Sequence, residues 1–114
     1  MRRFFLIFLG FIFLAISVLA QDRKKADSLL ELYREAFYPE QKIYFLRQAI
    51  PIINKESPDR ALFLCNELLQ TAKKSGNREL LALAYSVLAE VYYDNSDFDN
   101  AILYYKQGLE ILNP

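Results

Sequence analysis

Between Ala82 and Leu112 the apolar residues fall on two helical faces separated by a polar break, and no other stretch constrains the fold as tightly. Tyr85, Leu88, Ala89 and Tyr92 share one side of a helix, because they recur three, one and three residues apart. Asn95, Ser96 and Asp97 interrupt that spacing. Phe98, Ala101, Tyr105 and Leu109 resume it, describing a second amphipathic helix that folds back on the first. The unit is a helical hairpin, and no strand pattern appears elsewhere, so the chain is expected to be all-α.

The order aromatic, Leu, small residue, Tyr, aromatic, Ala, aromatic resembles one tetratricopeptide (TPR) repeat, a hairpin with a period of about 34 residues. Tyr85 stands where that family has its first Trp. Leu88 and Ala89 stand at its Leu-Gly, Tyr92 at its Tyr and Phe98 at its turn aromatic. Ala101 matches the small residue of the second helix, and Tyr105 its Phe or Tyr. Two positions depart: Gly108 replaces an Ala, and Pro114 arrives one residue late. Gly108 is expected to soften the second helix by about 1 kcal/mol relative to Ala.

A fainter copy lies forty residues upstream, where Asp59 and Ala61 pair with Asp99 and Ala101, and Leu62, Leu64 and Leu69 with Ile102, Tyr104 and Leu109. Ser57-Pro58-Asp59 reads as a helix start, with Ser57 as N-cap. Lys73, Lys74 and Gly76 read as a helix stop. The facing helix, Gln41 to Lys55, fits the resemblance poorly: Gln48 falls where Leu is expected, and Pro51 should kink it. Ahead of both repeats, Leu29, Leu30, Tyr33, Ala36 and Phe37 share one side of a helix running from Ala26 to Phe37, expected to cap the array. Pro39 marks the break after it. The expected architecture is therefore a TPR-type α-solenoid of antiparallel hairpins, about five helices, comprising a cap at 22–38, a divergent repeat at 41–77 and the better repeat at 78–114.

The N-terminus sets an address. Arg2 and Arg3 precede an apolar run from Phe4 to Leu19, and Val18-Leu19-Ala20 offers small residues before Gln21, as a secretory signal at 1–20 would. The run would span only about 24 Å as a helix, against a hydrocarbon core of roughly 30 Å. Cleavage after Ala20 is favoured; an uncleaved inner-membrane anchor through residues 4–19 stays open. Export would place residues 21–114 in the periplasm or outside the cell.

Removing the signal takes away Arg2 and Arg3, leaving twelve basic against fourteen acidic side chains. That balance gives no footprint for nucleic acid. The one basic cluster, Asp22-Arg23-Lys24-Lys25, reads as a solvated first helical turn. No His is present, which removes His-dependent triads and most zinc sites. Cys65 follows helical spacing with Leu62, Leu68, Leu69 and Ala72 and reads as a core residue, a reactive or intermolecular thiol being the alternative. Asp94, Asp97 and Asp99 do not make a calcium loop, because Ile102 and Gly108 stand where Gly and Glu are required. With three scattered glycines and no paired nucleophile and base, neither a catalytic site, a cofactor nor a metal is expected.

What the resemblance implies is a binding groove. Its concave positions map onto Leu83, Ser86, Glu90, Tyr93 and Asp94 in the better repeat, and onto Ile43, Leu46, Ile50, Ile53 and Asn54 in the divergent one. Relatives that clamp a C-terminal carboxylate use Lys and Asn at such places; Glu90 would repel such an end. For Ile43, Leu46, Ile50 and Ile53 a second reading stands beside the groove, namely packing against the N-terminal helix. Repeat arrays usually need three units, so Ile102, Tyr105, Leu109 and Leu112 form an unpartnered face through which residues 21–114 are expected to self-associate. Two functions fit: an exported module binding a protein or peptide, or the extracytoplasmic sensor region of a membrane-bound histidine kinase or regulator, of which this chain would be a truncated part.

Overall fold

A computed structural model describes residues 2–114, and among them every regular element is an α-helix. The five are α1 (Arg2–Glu35), α2 (Pro39–Asn54), α3 (Pro58–Ser75), α4 (Arg78–Asp94) and α5 (Phe98–Leu112). Turns of two or three residues join them, and each helix packs on the next. Connections that short make successive helices antiparallel. The guanidinium of Arg78, at the start of α4, donates to the carbonyl of Ile111 at the end of α5. The result is repeat-like, with α2–α3 and α4–α5 as consecutive hairpins.

Local chemistry explains where the helices start and stop. Ser57 Oγ accepts from the Arg60 N–H at 3.2 Å, Asn77 Oδ1 from the Leu80 N–H at 3.2 Å, and Asp97 Oδ1 from the Asn100 N–H at 3.3 Å. Each satisfies a donor that the first turn would otherwise leave free. Pro39 and Pro58 occupy first helical positions, where the missing N–H costs nothing. Gly76 closes α3 in the left-handed conformation, φ 70°, which a residue without Cβ adopts freely. At the end of α4 the same duty falls to Ser96, φ 62°.

Two expectations change. The apolar run and the capping helix are one element: α1 continues from Arg2 through Ala20 to Glu35, because Gln21 to Lys25 contain no helix breaker. It ends before Phe37, since Tyr38, preceding Pro39, is held extended. α2 continues through Pro51 to Asn54, with the proline on the exposed side. Gln48 is exposed too, which suits Gln where the resemblance wanted Leu.

The core lies where α1, α2, α3 and α4 meet, around Leu46, Ala49, Ile50, Cys65 and Leu68, with Ala26 and Leu30 contributed by α1. The N-terminal part of α1 takes no share in it. An apolar window of eighteen residues in that helix has none of its residues buried. As a 34-residue helix α1 is about 51 Å long, and the molecule extends 63 Å along its longest axis. It is the one helix among the described residues long and apolar enough to cross a membrane.

Candidate functional site

Leu83, Ser86, Glu90, Tyr93 and Asp94 are spaced three, four, three and one apart on α4, so they share one side of it. The structure sets Leu83 and Ser86 into a cavity of about 330 Å³ between α4 and α5, together with Glu79, Ala82, Tyr105, Gly108, Leu109 and Leu112. The lining is almost wholly apolar. Ser86 Oγ donates to the Leu83 carbonyl at 2.7 Å, so its proton serves its own helix. Glu90, Tyr93 and Asp94 prolong the same side and are exposed. Tyr93 meets Phe98 edge-on, with ring centroids 5.4 Å apart. Partial burial, with the negative charges of Glu90 and Asp94 behind it, pushes the Tyr105 phenol above its ordinary pKa. The acids therefore lie beside the α5 end of the groove.

Gly108 forms part of the floor, and its role differs from the softness expected of it. It is buried, and a Cβ there would meet the Ala82 carbonyl oxygen at 3.3 Å and Tyr85 Cβ at 3.6 Å. The missing side chain lets α5 approach α4 closely. Ala101, the other buried residue of α5, lies about two turns earlier and is 2 % exposed.

The equivalent positions in the first hairpin are not a surface. Ile43, Leu46, Ile50 and Ile53 are core residues, and Asn54 is the one buried polar side chain among the described residues. Of the two readings open for them, packing holds and the groove does not. Asn54 Oδ1 accepts from Asn95 Nδ2 at 3.0 Å, tying the α2–α3 turn to the α4–α5 turn. That link is invisible in the sequence, because it joins residues forty-one apart that no spacing pattern pairs.

A second cavity, about 610 Å³, opens between α3 and the second hairpin. Tyr85, Tyr104 and Tyr92 stack along its wall, with centroids 6.3 Å and 5.5 Å apart and rings within 14° of parallel. Asn66, Lys73 and Gln107 supply its polar rim. Tyr85 and Tyr92, which share one side of α4, are both partly buried against the core. Burial, with Tyr104 and Asp97 nearby, raises the Tyr92 phenol as well.

Cys65 is fully buried, and desolvation pushes its thiol up to about 12. A thiol so placed stays protonated at neutral pH and is inert as a nucleophile. The described residues hold no group of three or more His, Cys, Asp or Glu placed to share a metal ion. Known proteins offer no guide, for the chain matches no family model, no curated protein and no solved structure. What the fold defines is a class: consecutive antiparallel helical hairpins with an apolar groove on the last and an apolar helical arm at the N-terminus.

Proposed function

We propose that this chain is an export-directed, TPR-type interaction module that binds a protein or peptide partner through the α4–α5 face, with Leu83, Ser86, Glu90, Tyr93 and Asp94 on its α4 side. One observation carries the reading. Tyr105, Leu109 and Leu112 remain 39, 60 and 49 % exposed around a preformed apolar cavity, while the matching residues of the first hairpin are buried. A contiguous exposed apolar patch with a polar rim marks an interaction surface. Site-specific photo-crosslinking from Leu109 and from Leu83 should each give one discrete adduct, and Leu109→Asp should abolish the one from Leu83. Equal adducts from Gln70, an exposed position on α3, would sink the proposal.

The apolar arm supports delivery to a membrane or beyond it, by cleavage after Ala20 or by retention as an anchor. Its unbroken passage into the core at Ala26 and Leu30 favours a second reading, the sensor region of a membrane-bound signalling protein, because a continuous helix would transmit movement of the domain to the bilayer. With the anchor retained, the pairing of Arg23 with Glu56 would set the α2–α3 turn toward the membrane and the far end of α5 away from it. Mass spectrometry of the product from a bacterial host separates the two: a chain beginning at Gln21 supports export, and intact Arg2 to Ala20 supports the anchor.

A further inference from the structure

The forty-residue correspondence makes the two hairpins comparable surfaces, and among the described residues a following helix, α4, lies on the first. α4 packs against both α2 and α3, so it lies across the first hairpin. The residues it brings to the shared core are Ala84, Val87, Leu88 and Val91, a seam at i, i+3, i+4 and i+7. On the second hairpin the groove of Leu83, Ser86, Tyr105, Leu109 and Leu112 stays open, with Gly108 deepening its floor. Its charge has one sign. Glu79 lines it, Glu90 and Asp94 extend its α4 side, and no basic side chain lines it among the described residues. Of the two cations next to lining residues in sequence, Arg78 is held by the Ile111 carbonyl and Lys106 is exposed on α5 without lining the groove, so acids outnumber bases around it.

We propose that the α4–α5 groove seats one amphipathic helix of a partner protein, apolar along a seam like that of α4 and flanked by lysine or arginine, laid across α4 and α5 as α4 lies across α2 and α3. The inference rests on the interaction-module reading and names its partner. A helix fits because the groove walls are helical, so no strand edge is offered to an extended peptide and side chains alone supply the contact. Basic flanks fit because Glu79, Glu90 and Asp94 would otherwise face like charge or bare apolar surface. The same acids weigh against a second copy wherever a twofold axis would bring the two acidic α4 sides together.

The test uses the full chain held in nanodiscs of zwitterionic lipid, with empty discs as blank. The probe is a fluorescein-labelled synthetic peptide with Ala, Val, Leu and Val at i, i+3, i+4 and i+7 and lysines beside the seam. A glutamate-flanked version and a scrambled version accompany it. Anisotropy should show binding of the lysine peptide alone, weakening as salt rises. Glu79→Lys with Glu90→Lys should weaken it by about tenfold or more and should confer binding of the glutamate peptide. Misfolding could not produce that swap. Leu109→Ser should abolish binding of both. Equal binding of the scrambled peptide, or failure of the swap, overturns the inference, and so does sedimentation as a dimer that Leu109→Ser dissolves. If the wild-type chain instead takes the glutamate peptide in a Leu109-dependent way, the module stands and the basic helix falls. If no peptide binds and Leu109 gives no crosslink, both fall.

Discussion

The hairpins α2–α3 and α4–α5 share a pattern of small and apolar residues, yet their fates differ. Cys65, Leu69 and Ala72 are 0, 8 and 1 % exposed, while their counterparts Tyr105, Leu109 and Leu112 lie largely in solvent. The first hairpin is enclosed by α1 and α4, and the second is covered by its neighbour on one side. Apolar character gives a helix something to bury; whether it is buried depends on what lies alongside. Among the described residues, nothing covers the α5 face of Tyr105, Leu109 and Leu112.

The comparison is tested most severely by matched truncations. Leu69→Ala should cost about 2 to 5 kcal/mol, whereas Leu109→Ala should change stability by no more than about 0.5 kcal/mol. Chemical denaturation of the two variants side by side decides it, and equal losses would mean that α5 buries its apolar face after all. Next in size is Ala101→Leu. Its parent residue is 2 % exposed at the close approach of α5, and overpacking there should cost about 1 to 3 kcal/mol. An unchanged denaturation midpoint would break the equivalence of Ala101 with Ala61, which is buried in the first hairpin.

The link between the hairpins predicts an effect from an exposed position. Asn95→Ala strips the buried Asn54 Oδ1 of its donor and should cost about 1 to 3 kcal/mol. Adding Asn54→Leu should recover part of that loss, because the orphaned acceptor is then gone. A double variant no more stable than Asn95→Ala would show that the bond does not set the register. The smallest effect belongs to Gly108→Ala. A gain of about 1 kcal/mol from helix propensity is opposed by crowding against the Ala82 carbonyl oxygen, so the midpoint should barely move. A full propensity gain would show that α4 and α5 have room to spare.

Much of the fold could be read from particular residues. Ser57, Pro58, Gly76 and Asp97 punctuate the helices through interactions within a few residues of themselves, and all four act as their types imply. The spacing of Ala101 with Tyr105 and Leu109 identified α5, and the spacing of Cys65 with Leu68 and Ala72 placed that thiol in the core. The join between the apolar run and the next helix was missed because the expected boundary came from a processing signal, and Ala20 and Gln21 hold nothing that ends a helix. The candidate site was half visible. Leu83 and Ser86 reach the groove, but for its other wall, Tyr105, Leu109 and Leu112, the spacing gives only an unpartnered helix face.

The sequence by itself determined the helices, their caps and the apolar stripe on each, because these depend on contacts a few residues long. Only the tertiary structure decided which stripes are core and which are surface. Ile50 and Glu90 hold equivalent places, yet one is sealed among helices and the other borders an open groove. Burial is a property of packed neighbours, and nothing within a single amphipathic helix specifies what will lie across it.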